Sequence, residues 1–152
     1  MYIRDLIEQN FGNIPTAQQR DVFALLETFL TSIKDDDCFI LKGYAGTGKT
    51  TLISALVKVL PKIKLKSVLL APTGRAAKVI SNYSGKKAFT IHKKIYRKKV
   101  AASPEMNFVL GDNIMENTLF IVDEASMISD QVHDYSRQSL LQDLISYVYN
   151  GK

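Results

Sequence analysis

The chain has 152 residues, of which 46% are hydrophobic and 23% charged, with 20 basic and 15 acidic side chains and a formal net charge of +5. This is the balance of one globular domain. It excludes a disordered acidic tail, a collagen-like repeat and a low-complexity linker. No window approaches about 18 uninterrupted apolar residues, so no transmembrane helix is expected. The acids Asp5 and Glu8 and the lack of an apolar core segment argue against a secretory signal. An intracellular, cytoplasmic chain is therefore expected. The single cysteine, Cys38, has no internal disulfide partner. At the start of an apolar run it reads as a small buried hydrophobe.

The charge is unevenly distributed. Residues 1–40 carry 3 basic and 7 acidic side chains, residues 41–100 carry 15 basic and none acidic, and residues 101–152 carry 2 and 8. Sixty residues without a carboxylate create a strong positive field where they stay together in the fold, and the natural partner of such a field is a polyanion. The densest part is Lys93, Lys94, Arg97, Lys98 and Lys99. A plain solvated face is the other reading of such a run.

Taken in chain order, residues 1–10 form a short helix ended by Gly12 and Pro15. The first long helix begins at 15–19. Thr16 is its N-cap, and Gln19, three residues on, completes a capping box. Val22, Leu25, Leu26, Phe29 and Ile33 mark its apolar face. Asp35-Asp36-Asp37 is a turn, and residues 38–41 are the first strand. A glycine-rich loop leads into an amphipathic helix over 50–60, with Leu52, Ile53, Leu56, Val57 and Leu60 apolar and Pro61 stopping it. Residues 66–71 are the second strand, and 74–81 a short helix after Pro72. Residues 88–90 are a third strand and 92–97 a helical turn. Turn signals at Ser103-Pro104 and Gly111-Asp112-Asn113 suggest a small hairpin near 98–117. Residues 119–122 are another strand. The last helix spans 139–148, with Leu140, Leu141, Leu144, Ile145 and Val148 as its apolar face. Short apolar strands separated by helices predict an α/β fold: one domain built on a parallel sheet with helices on both faces.

Gly43-Tyr44-Ala45-Gly46-Thr47-Gly48-Lys49-Thr50 fits G-x-x-x-x-G-K-[ST] without a mismatch, between an expected strand and an expected helix. The glycines let the backbone curl so that its N–H groups face phosphates. The loop opens onto a helix N-terminus, which favours an anion. Lys49 reaches the β and γ phosphates as a point charge. Thr50 offers its hydroxyl to Mg²⁺. Asp123-Glu124 follows the apolar run 119–122, where a strand-end Asp holds Mg²⁺ and a neighbouring Glu can deprotonate the attacking water. His92 and His133 lack any Cys–His ligand spacing, so no structural zinc is expected.

Five segments occur in a telling order: Thr16-Ala17-Gln18-Gln19, the loop 43–50, Ala71-Pro72-Thr73-Gly74-Arg75-Ala76-Ala77, Thr90-Ile91-His92, and Val122-Asp123-Glu124-Ala125-Ser126-Met127. Over roughly residues 12–150 the chain resembles the N-terminal part of the first RecA-like motor domain of a superfamily-one DNA helicase. The resemblance is to the RecD-like branch of the exonuclease and recombination type, which moves 5′ to 3′ on single-stranded DNA.

The resemblance implies a P-loop NTPase fold and ATP and Mg²⁺ as cofactors. It implies that Gln19 reads the adenine edge, and that Gly43, Ala45, Gly46, Thr47, Gly48, Lys49, Thr50 and Thr51 hold the nucleotide. Thr50 and Asp123 would hold the metal, and Lys49, Asp123 and Glu124 would carry hydrolysis. Pro72, Thr73, Arg75, Thr90 and His92 would line the single-stranded DNA track. Ser126 would couple hydrolysis to movement. The implied partners are single-stranded DNA and a second motor domain; whether the motor acts alone or among the subunits of a nuclease complex stays open. Segment 98–117 falls where the family carries a small strand-separating insertion. Met106 and Phe108 either present a wedge there or pack the hairpin onto its own domain.

The family continues through a further strand ending in Gly-Asp-x-x-Gln-Leu-Pro-Pro and then a second motor domain that supplies arginines; this chain has neither, and Arg137 is its only arginine after the acidic pair. The expectation is a partial motor domain, inactive as a helicase by itself. Its sheet would lack the strand between the phosphate-loop strand and the acidic-pair strand. Either those two strands close up or something else fills the gap. The alternatives to a helicase are a P-loop ATPase that does not act on nucleic acid and a non-catalytic module that binds single-stranded DNA.

Overall fold

The computed structural model describes residues 1–32, 34, 36–98, 108–132 and 138–151. In chain order the elements are α1 (Ile3–Phe11), α2 (Ala17–Ser32), α3 (Lys49–Val59), β1 (Lys66–Ala71), α4 (Gly74–Ser84), β2 (Ala88–Thr90), α5 (Ile91–Ile95), β3 (Tyr96–Lys98), β4 (Phe108–Leu110), β5 (Thr118–Val122) and α6 (Leu140–Tyr149). Single 3₁₀ turns lie at Leu60–Ile63 and Ala125–Met127.

Strands β2, β1 and β5 form a parallel sheet in that order. β1 is central, with Val68 opposite Phe120, Leu70 opposite Val122 and Ala71 opposite Thr90. From Ser67 to Ala71 it is buried on both faces, so its sequence reads as an apolar run rather than an alternation. Residues two apart share a face. Leu69 packs with Ile53 and Ile80 of α3 and α4, while Leu119 and Ile121 pack against the cluster built by α1, α2 and α3. Val68, Leu70, Phe120 and Val122 face the other way, onto Ile91, Ile95, Leu140, Leu144 and Tyr147 of α5 and α6. Helices thus cover both faces of a parallel sheet, the α/β fold expected.

Several expectations move by a residue or more. The buried stripe of α2 is Phe23, Leu26 and Leu30, and Leu25 lies out at 58% exposure. Ile33 lies outside the described residues. The stripe is set by α1, whose Phe11 ring packs edge-on against Phe23 at 5.2 Å between centroids. On α6, Tyr147 takes the core position expected for Ile145, and Leu141 and Ile145 face outward. Helix α4 runs on to Ser84, where Gly85 at φ 73° ends it in the left-handed conformation that favours glycine.

The first expected strand is not formed. Residues 38–42 have no strand partner, and no backbone hydrogen bond joins them to another described residue. Phe39 and Leu41 still point into the α1–α3 cluster, while Cys38, Ile40 and Lys42 are exposed. Cys38 is therefore exposed rather than a buried hydrophobe. β5 likewise pairs on one side only, with β1. A strand exists only with a neighbour to accept its ladder, and among the described residues neither edge has one. The two segments have not closed up.

A two-stranded antiparallel sheet overlaps the start of the segment 98–117. β3 pairs antiparallel with β4, with Tyr96 opposite Leu110 and Lys98 opposite Phe108. Met106 and Lys99 lie outside the described residues, and Phe108 is exposed. The root of this sheet is tied down. Gly111 N–H donates to Ile95 O at 2.7 Å, and Tyr96 Oη–H donates to Asp143 of α6 at 2.5 Å. Burial first, and then the Asp143 carboxylate, push the Tyr96 phenol well above its usual value.

Two truncations on α2 test the stripe. Leu26→Ala is expected to destabilise the chain by about 3 kcal/mol, because Leu26 is 4% exposed. Leu25→Ala is expected to cost less than about 0.5 kcal/mol. Urea unfolding followed by far-UV circular dichroism measures both.

Candidate functional site

The glycine-rich loop is shaped by its own side chains. Gly46 and Gly48 hold φ at 78° and 89°, a region L-residues avoid. A Cβ on Gly43 would lie 2.7 Å from Thr47 Oγ1 and would push that hydroxyl from its place. Thr47 Oγ1–H donates to Tyr44 O at 2.7 Å and closes the loop. Lys49 folds back into it, its Nζ donating to Gly43 O at 2.5 Å and Tyr44 O at 2.7 Å. Ala45 and the Tyr44 ring are exposed.

Helix α3 opens directly from this loop without a side-chain cap. Its first helical bond is Leu52 N–H to Gly48 O. The N–H groups of Gly48, Lys49, Thr50 and Thr51 therefore have no acceptor among the described residues. Uncapped donors, a helix N-terminus, left-handed glycines and a lysine make a cradle that fits a chain of phosphates. Thr50's hydroxyl has no hydrogen-bond partner among the described residues, whereas Thr51 Oγ1 lies 3.3 Å from Tyr83 Oη of α4.

The helix before the loop reaches into it. Thr16 and Gln19 form the expected capping box, with Gln19 N–H to Thr16 Oγ1 at 3.2 Å and Thr16 N–H to Gln19 Oε1 at 2.9 Å. Gln19 Nε2–H also donates to Thr47 O at 3.0 Å, a contact the spacing of the motifs did not reveal. Its only sequence signal is an amide, rather than a carboxylate, at the third position of the box.

The acidic pair closes β5. Asp123 N–H continues the ladder to Leu70 O at 2.9 Å. Glu124 is exposed and sits at φ 55°, ψ 37°, and its carbonyl accepts from Met127 N–H at 3.0 Å, which starts the next 3₁₀ turn. A glutamate held in the left-handed region costs about 1 kcal/mol, and such positions cluster where function demands them. Neither carboxylate has a hydrogen-bond or ion-pair partner among the described residues. Ser126, in the 3₁₀ turn, is exposed.

The remaining expected residues gather at the C-terminal ends of β1 and β2. Thr73 caps α4 by accepting from Ala76 N–H at 3.2 Å, and Thr90 caps α5 by accepting from Lys93 N–H at 3.2 Å. Since Ala71 and Thr90 are in register, the two caps lie on adjacent strand ends. Arg75 and His92 are exposed beside them, with Pro72 half-buried between β1 and α4. The only ion pair among the described residues is Arg20–Glu8 at 3.2 Å. No described cation between residues 41 and 98 is neutralised by a carboxylate.

A family model described as an AAA domain matches residues 16–139, and the chain belongs to that family. It is an ATP-binding domain of the P-loop NTPase class. Its relatives divide between two kinds of protein. The chain is 31% identical over 116 residues to the ATP-dependent DNA helicase dda of Enterobacteria phage T4, covering 74% of this chain and 26% of that protein. It is 33% identical over 94 residues to the ATP-dependent RecD2 DNA helicase of Deinococcus radiodurans, covering 60% of this chain and 12% of that one. It is also 33% identical over 79 residues to the tRNA threonylcarbamoyladenosine biosynthesis protein TsaE of Aquifex aeolicus, covering 52% of this chain and 56% of that protein. The chain thus spans about a quarter or less of the helicases it matches. Among the described residues no helix is long and apolar enough to cross a membrane.

Lys49→Ala removes the cation of the cradle. It is expected to weaken ATP binding by about 2 kcal/mol, roughly thirtyfold, as loss of a charged hydrogen-bond donor does. Isothermal titration calorimetry of the variant against the parent chain measures it.

Proposed function

We propose that this chain is the ATP-binding portion of an ATP-dependent DNA helicase that translocates on single-stranded DNA. The observation that carries this reading is the shared sheet edge. The two capped helix starts with Arg75 and His92 lie at the ends of β1 and β2, and the acidic pair lies at the end of β5 beside them. Nucleic-acid contacts and hydrolytic carboxylates on adjacent strand ends are what coupling ATP turnover to movement along DNA requires. The unneutralised basic stretch and the two helicase relatives support the same reading.

In this reading Lys49 leaves the carbonyls of Gly43 and Tyr44 for the β and γ phosphates of ATP. The N–H groups of Gly48, Lys49, Thr50 and Thr51 cradle the phosphate oxygens, with Gly43, Ala45, Gly46 and Thr47 shaping the turn. Gln19 faces the adenine. The Thr50 hydroxyl and the Asp123 carboxylate would hold Mg²⁺, which supplies charge stabilisation at the γ phosphoryl group. Glu124 accepts the proton of the water that attacks γ phosphorus as the bond to ADP breaks. Pro72, Thr73, Arg75, Thr90 and His92 track the DNA backbone, giving register without sequence preference. Arginines from a second motor domain, the other expected partner, would complete the transition-state charge.

The TsaE relative favours a second reading, an ATPase domain that does not track DNA. Fluorescence anisotropy with a labelled oligothymidylate decides between them. In the helicase reading the chain binds it, and Arg75→Ala weakens binding about tenfold and lowers the salt slope by about one phosphate's worth. Salt-independent or absent binding supports the second reading. In a protein completed by its second motor domain, Glu124→Gln is expected to abolish turnover while keeping ATP affinity within about twofold. Retained turnover removes Glu124 as the base.

A further inference from the structure

The Gln19 side chain does two jobs with the two halves of its amide. Its oxygen accepts from Thr16 N–H and completes the cap of α2, and its nitrogen donates to Thr47 O across 28 residues of sequence. A capping box accepts glutamate or glutamine at this position alike. Only glutamine brings a donor, and here that donor goes to the Thr47 carbonyl.

The consequence lies in the peptide plane. The chain has no cis peptide bond among its described residues, so the Thr47–Gly48 amide is planar and trans. Its C=O and N–H point in opposite directions. Holding Thr47 O toward α2 turns Gly48 N–H away from α2, and that N–H has no acceptor among the described residues. Both helices crowd the same spot: a Cβ on Gly48 would lie 2.8 Å from Gln19 Nε2 of α2 and 3.4 Å from Phe11 Cζ of α1. The Arg20–Glu8 ion pair, one residue along, ties α2 to α1 beside this contact. The N-terminal helix pair thus grips one peptide of the phosphate loop.

We propose that Gln19 is a positioning residue for the phosphate loop: its amide clasps Thr47 O and so aims Gly48 N–H at the bound phosphate, a role separate from any contact with the base. The proposal rests on the reading of loop 43–50 as the phosphate cradle. It makes the first turn of α2 part of the anion site, although α2 carries no residue of the phosphate-loop motif.

Calorimetric titration with ATP and with inorganic tripolyphosphate, which has no base, separates the possibilities. Gln19→Ala is expected to weaken both about fivefold, the loss of one neutral hydrogen bond. Thr16→Ala removes part of the cap and leaves the clasp, and is expected to keep tripolyphosphate affinity within about twofold. Gln19→Glu keeps the acceptor for Thr16 N–H and loses the donor. It covers the case in which Gln19→Ala fails to fold by circular dichroism, and it is expected to lose affinity as well. Loss of ATP affinity alone in Gln19→Ala, with tripolyphosphate unchanged, makes Gln19 a base reader only and overturns the clasp. An equal loss in Thr16→Ala reduces it to a helix cap. Failure of the parent chain to bind either ligand removes the phosphate-loop reading itself, a result distinct from the other two.

Discussion

The register of β1 is the constraint on which the rest depends. It is buried on both faces and pairs on both edges, so its position fixes both layers of helices and the level at which each parallel strand stops. Sliding it by one residue would turn Leu69 from the α3–α4 side to the α5–α6 side and empty both clusters. Because the strands are parallel and in register, Ala71, Thr90 and Val122 end at one edge. The residues that follow them, Pro72-Thr73, Ile91-His92 and Asp123-Glu124, must gather there. That gathering is a packing result, and the chemistry proposed for the edge follows from it.

Electrostatics acts on the same edge. Helices α4 and α5 start there, each with its first-turn N–H groups partly satisfied by a threonine and its positive dipole end facing outward. Arg75 and Lys93, exposed in those first turns, add to this field, and neither is held in an ion pair. Even Lys49 turns to backbone carbonyls rather than to Asp123 or Glu124. A surface left in this state is prepared for a polyanion, whether the phosphates of a nucleotide or those of a strand of DNA.

The segment leading into the loop shows how a local signal is overruled. Residues 38–41 have the apolar character of a strand, and Phe39 and Leu41 are oriented as a strand would orient them. Pairing is a property of two segments, and among the described residues neither 38–42 nor the outer edge of β5 has a neighbour. The same logic misplaced the stripe of α2. Leu25 satisfies the helical period as well as Phe23 does, and α1, packed against Phe23, decides which of them turns inward, while the expected Val22, Leu26 and Phe29 keep their places against the cluster.

What could be read from the chain by itself was whatever depends on neighbours close in sequence. The loop 43–50 needs glycines at fixed offsets, the capping box needs Thr16 and Gln19 three apart, and β1 announces its burial by an unbroken apolar run. The tertiary structure alone decided contacts between distant segments. It set Gln19 on Thr47, Tyr96 on Asp143, the edge shared by Thr73 and Thr90, and the unpaired state of residues 38–42. Local patterns are written in backbone conformation and solvent preference, which each short window carries. A hydrogen bond spanning 28 or 47 residues depends on how the sheet and its helices pack, and no window of the sequence holds that information.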